Sequence, residues 1–211
     1  ERTAARNSRV DKPPKRLPAF WLVMFGNLLF YIGMNAINLF MFVYFKEYLG
    51  ADDSSIGVYA ACLGLFEVPW MLVMNRIYKR ISTRKAVVIG IAGQSLFTVS
   101  VALLGGTGPL LFLIALRGFF YALWNISLTL VVTEISHPAN VATNQALTWV
   151  TMPAIAAIIM GPLSGWMYEN VGPRPLFLIS ALVTLSGALL LVILRKLVDS
   201  ASSQRLPLHV N

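Results

Sequence analysis

Six long apolar blocks fill most of this 211-residue chain, at about residues 19–45, 55–75, 86–104, 109–133, 142–168 and 176–194. A bilayer core of roughly 30 Å is crossed by about 20 apolar residues wound as a helix, so each block is long enough to span it. Inside hydrocarbon the backbone has no water to bond to, which leaves helices and closed barrels as the only spanning structures. The blocks are too long for barrel strands and lack the ten-residue alternation of a barrel. The expected fold class is therefore an all-α membrane protein with six transmembrane helices. Charged residues make up 12% of the chain, against about 25% in an ordinary soluble domain. That leaves too little polar surface for a soluble protein of this size.

The net charge of +8 does not point to nucleic acid, because the basic residues sit in the connections between blocks. Arg2, Arg6, Arg9, Lys12, Lys15 and Arg16 precede the first block; Arg76, Lys79, Arg80, Arg84 and Lys85 follow the second; Arg195, Lys196 and Arg205 follow the sixth. With six spans, all of these fall on one side. The other side holds only Lys46 and Arg174. An asymmetry of this kind orients membrane proteins with the basic side in the cytoplasm. Both termini are expected there, in a plasma (inner) membrane. Residues 1–18, basic and Pro-containing, read as a cytoplasmic linker rather than a natural N-terminus, and residues 198–211 as a cytoplasmic tail. Cys62 is the only cysteine, so no intrachain disulfide is available. Neither His137 nor His209 belongs to a metal-ligand spacing, and no cofactor is expected.

Two charged residues lie inside the blocks: Glu67 in the second and Arg117 in the fourth. Charge at that depth is costly, so each marks a candidate functional site. Glu67 can take up and release a proton as solvent access changes, or can serve as a hydrogen-bonded structural acid. Arg117 stays charged and needs an anion, carbonyls or water. It reads as a counter-ion or substrate-binding group, or else as a side chain snorkelling to the headgroups. Glu67 is the expected partner. At about 1.5 Å rise per residue the two differ in depth by roughly 8 Å, so a bridge needs tilt or reach.

The first block carries Asn27, Tyr31, Asn35 and Asn38 on one helical face, because residues spaced by about four line up along a helix. The fourth carries Arg117, Tyr121 and Asn125 in the same way, with Trp124 beside them, and the fifth carries Gln145, Thr148, Trp149 and Met152. Amides suit hydroxyl groups and an indole suits the apolar face of a sugar, so these faces are expected to line a cavity for a polyhydroxylated solute. The alternative use is hydrogen bonding between helices. Gln94 reads as structural. Gly161 and Gly165 form a small-xxx-small pattern expected to pack helices closely. Pro69, Pro153 and Pro162 are expected to kink their spans. No nucleophile–base set or phosphate loop is present, so no enzymatic activity is expected.

Six spans with cytoplasmic ends, a basic second connection and a Gly-rich fifth span resemble one half of a major facilitator superfamily transporter, specifically the C-terminal half. Asn75-Arg-Ile-Tyr-Lys-Arg-Ile-Ser-Thr-Arg-Lys85 stands where that family repeats a Gly-x-x-x-Asp-Arg-x-Gly-Arg-Arg loop. Arg80, Arg84 and Lys85 match, which makes them gating-loop candidates, whereas Asn75, Lys79 and Ser82 depart from it. Phe66-Glu-Val-Pro69 looks like the Glu-Ile-Pro of sugar efflux transporters. Pro138-Ala-Asn-Val-Ala-Thr-Asn-Gln-Ala-Leu147, with Gly161, Gly165 and the run to Gly172, is similar to the oligosaccharide/proton symporter-like branch. Arg117 and Phe120 replace that branch's proton-coupling His and Glu, so Glu67 is the remaining acid.

The resemblance covers about residues 17–197. It implies secondary active transport of a small, sugar-like polar solute by two six-helix halves rocking about a central site. It also implies an N-terminal half as partner, with proton coupling left open. In such a fold the first and fourth helices line the cavity, and the second and fifth form the moving interface. The competing readings are drug-type efflux and a six-helix assembly protein.

Overall fold

The computed structural model describes residues 18–193. The expected basic linker up to residue 17, the expected tail, and the loop charges Arg195 and Lys196 lie outside the described residues. Six helices are long and apolar enough to span a membrane, and no strand occurs among the described residues. They are α1 (Pro18–Glu47), α2 (Asp53–Tyr78), α3 (Thr83–Leu103), α4 (Leu110–Ile135), α5 (Pro138–Asn170) and α6 (Pro173–Ile193).

The connections are short and chemically marked. Gly50 ends the turn after α1 with φ 71°, a left-handed conformation that only glycine adopts freely. Asp52 then caps α2, its carboxylate accepting from the Ser55 N–H at 2.9 Å and the Ser54 hydroxyl at 3.0 Å. Gly172, with φ 97°, does the same service between α5 and α6. The helix runs through Pro69 and Pro162. Just before Pro153 the winding changes: Leu147–Thr151 is a π-helical stretch within α5. The sequence reading located a proline there but not this widening.

Packing follows the order α5–α1–α6–α3–α4–α2, with smaller contacts of α5 on α4 and α6 and of α1 on α4 and α2. α3 sits deepest. Its Gly90 lies against the Trp124 backbone of α4, where an added Cβ would come within 2.6 Å of the Trp124 nitrogen. Across the other side, Gly187 of α6 meets the Gly26 carbonyl of α1. Such close approaches let backbones pack where apolar burial against lipid supplies no drive. A Cβ added at Gly161 would meet nothing within 4 Å, and one at Gly165 only the tip of Phe40. The small-residue pattern expected to pack helices is therefore unused within the described residues. α2 and α5, at the two ends of the order, expose broad apolar faces, with Leu72 78% and Ile158 76% exposed.

Candidate functional site

The polar faces of α1 and α4 meet through one direct bond. Arg117 Nη2 donates to Asn38 Oδ1 at 2.9 Å. Its guanidinium carbon also lies 5.2 Å from the centre of the Phe97 ring on α3, within cation–π range. Gln94, fully buried on α3, donates through Nε2 to the Arg117 backbone carbonyl at 3.2 Å. That bond accounts for an amide that reads as structural from sequence. Phe97 was not recognisable in advance, since nothing in the sequence places α3 behind α4.

The expected Glu67–Arg117 bridge is not formed: no ion pair joins them among the described residues. The guanidinium turns instead to Asn38 on α1. Glu67 is half-buried on α2. It follows Phe66, whose backbone approaches Gly118 so closely that a Cβ there would sit 3.0 Å from the Phe66 carbonyl carbon. α2 is thereby pressed onto α4 one residue from each of the two charges.

Tyr31, Asn35, Tyr121 and Asn125 are half-buried and Asn38 is exposed, so these remain reachable along the α1–α4 seam. Four residues of the expected cavity faces lie elsewhere: Trp124, Asn27, Thr148 and Met152 are all buried. Trp124 is 1% exposed and packs among Phe30, stacked at 4.1 Å, Tyr31 at 5.7 Å, Tyr121 at 5.5 Å and Trp149 at 5.3 Å. Its indole fills the junction of α1, α4 and α5 instead of presenting a free face. Asn27, also 1% exposed, donates through Nδ2 to the Thr148 carbonyl in the π-helical stretch at 3.2 Å. Gln145 ties α5 to α4, donating to the Thr129 carbonyl and the Thr133 hydroxyl, each at 2.9 Å. Its oxygen accepts from the half-buried Trp149 indole at 3.0 Å.

The gating-loop candidates separate. Arg80 lies in the turn between α2 and α3, while Arg84 and Lys85 belong to the first turn of α3. Arg84 pairs with Glu134 in the last turn of α4 at 2.5 Å, so it clamps two helix ends.

The seam thus combines one cation, several amides and phenols, and flanking aromatic rings. That set can orient a small polar solute through directional bonds and has no nucleophile activated by a base. A family profile described as Major Facilitator Superfamily matches residues 23–208. No curated protein is similar enough to register as a match.

Proposed function

This chain belongs to the major facilitator superfamily, and on that premise we propose that it is the C-terminal six-helix half of a sugar-type secondary transporter. Secondary transport of a small solute by a multi-pass membrane protein is the activity the family carries. The finer reading is that the solute is polyhydroxylated and binds along the α1–α4 seam. The observation that carries it is the Arg117–Asn38 bond at 2.9 Å, which joins the polar faces of α1 and α4 into one surface. Tyr31, Asn35, Tyr121 and Asn125 extend that surface, while Trp149 flanks it from α5.

In this reading an N-terminal half supplies the opposite wall, and the open apolar faces of α2 and α5 meet it. Rocking of the two halves then exposes the site to each side in turn. The loop charges support the reading in which both ends face the cytoplasm, with the plasma (inner) membrane as the proposed location. Glu67, one helix away from Arg117, is the proton carrier if transport is proton-coupled.

The test is solute uptake by the full-length protein in proteoliposomes, with and without a pH gradient. Arg117→Gln should reduce uptake at least tenfold; unchanged uptake would mean that Arg117 merely snorkels. Glu67→Gln should abolish any dependence on the pH gradient, and a dependence that survives it removes Glu67 from proton coupling.

A further inference from the structure

We infer that the solute bound at this seam carries a carboxylate, making it a sugar acid or similar hydroxylated anion rather than a neutral sugar; this rests on the transport reading above. The starting point is a cation that, among the described residues, makes no ion-pair contact, Glu67 acting on it only from a distance. A guanidinium has five N–H donors and keeps its proton. Asn38 takes one of those donors at 2.9 Å, and Asn38 is neutral. The Phe97 ring offers a face at 5.2 Å, also without formal charge. Arg117 Nε is buried with no hydrogen-bonding partner. Among the described residues no carboxylate lies within ion-pair distance of Arg117.

A charge held inside a span without a counter-ion is unfavourable, and pairing it is the ordinary remedy. Arg binds carboxylates through two parallel N–H···O bonds, and the fork of Nε with one terminal nitrogen is one face that can do so. Nη2 gives one of its two hydrogens to Asn38 and Nε gives none, so the donors of the guanidinium are only partly used. The surroundings then select what the carboxylate is attached to. Asn35 on α1 has a buried oxygen without a partner, one turn from Asn38. Tyr31 and Tyr121 stand one further turn along their helices. These groups accept from and donate to hydroxyls, so the anion should carry hydroxyls as well as its acid group.

Two other sources of negative charge compete: Glu67 swinging in from α2, and a carboxylate of the other half. The experiment separates them. Full-length protein in proteoliposomes is given radiolabelled glucuronate, gluconate and glucose, and binding of each is followed in parallel by thermal stabilisation of the purified protein in detergent. The expected result is that the acids bind and enter at least tenfold better than glucose. Arg117→Gln should lose that preference, and Arg117→Lys should keep part of it. If glucose enters as well as the acids, the inference fails while the transport reading survives. It fails likewise if Glu67→Gln combined with Arg117→Gln restores the uptake that Arg117→Gln lost, since the two side chains would then be each other's counter-ions. Stabilisation by the acids in wild type but not in folded Arg117→Gln, without uptake of any solute, would uphold the anion site and sink transport. Absence of acid binding to the wild-type protein overturns the inference outright.

Discussion

Asn27 of α1 takes over a hydrogen bond that the backbone of α5 cannot make. In the π-helical stretch Met152 N–H bonds back five residues to the Leu147 carbonyl. The next bond in that ladder would run from residue 153 to Thr148, but residue 153 is proline and has no N–H. The Asn27 amide fills the place at 3.2 Å from the Thr148 carbonyl. Meanwhile the Thr148 hydroxyl bonds the Asn144 carbonyl at 2.8 Å and faces the Met24 sulfur at 3.5 Å. Asn27→Ala should destabilise the folded protein by about 1–3 kcal/mol, the cost of stranding a buried acceptor. Pro153→Ala returns a backbone donor, so in that background the same substitution should cost roughly 1 kcal/mol less. Denaturant unfolding in detergent measures both. Equal costs in the two backgrounds would show that the Thr148 carbonyl is not the shared acceptor.

The close approach of α3 to α4 gives a steric prediction. A Cβ on Gly90 would press on the Trp124 nitrogen and Cα, which are backbone and cannot rotate away. Gly90→Ala should therefore cost about 1–3 kcal/mol by overpacking, and Gly90→Leu should prevent folding. Gly161→Ala meets nothing within 4 Å in this chain. It should leave stability unchanged or raise it by up to about 1 kcal/mol, since alanine is the better helix former. Thermal unfolding of the purified protein compares the two, and a Gly161→Ala cost matching that of Gly90→Ala would contradict the packing.

Most of this fold could be read from the sequence because a bilayer simplifies the problem. Twenty apolar residues in a row have few structures open to them, and Gly50 and Gly172 punctuate the chain where turns need positive φ. The polar stripe of α1 was visible from spacing alone. What spacing could not tell was which stripe residues face a cavity and which are consumed between helices. Asn27 sits on the same stripe as Asn38, and Trp124 beside that of Arg117, yet both are buried because α5 closes over that end of the seam. The Arg117–Asn38 bond was hidden for a related reason. Opposite charges suggest each other in a sequence, whereas a neutral amide on a facing helix does not. The unpartnered small-residue pattern at Gly161 was legible as a pattern but not as to whether this chain uses it.

Asp52, in the turn before α2, gives a pH dependence. The Ser55 hydroxyl, then the Ser55 N–H and the Ser54 hydroxyl, hold its carboxyl below its ordinary value of 3.8. A carboxylate lowered by folding stabilises the folded state above its unfolded value, and that contribution disappears as pH falls through the lower folded value. The first turn of α2 should accordingly fray as pH drops below about 3.8, seen as faster amide hydrogen exchange at Ser55 after correction for the intrinsic rate. Asp52→Asn, which caps without ionising, should show no such transition. A transition of the same size in that variant would assign the fraying to another group.

Arg84 and Glu134 join the first turn of α3 to the last turn of α4, on the side of the bundle where the basic loop lies. Their side chains are 22% and 46% exposed, so solvent screens the attraction and the pair should contribute about 0.2–1 kcal/mol. If the chain moves as the proposed transport cycle requires, the pair's larger effect should be on which helix ends stay together. Arg84→Glu places two carboxylates at the contact and should lower stability and slow transport. Arg84→Glu with Glu134→Arg restores opposite charges and should recover both. Raising salt to about 1 M shortens the screening length to roughly 3 Å, so the difference between single and double variants should shrink. The check is a double-mutant cycle in stability and initial uptake rate, run at low and high salt. A double variant as slow as Arg84→Glu, with stability fully restored, would show that Arg84 acts on transport through something other than Glu134.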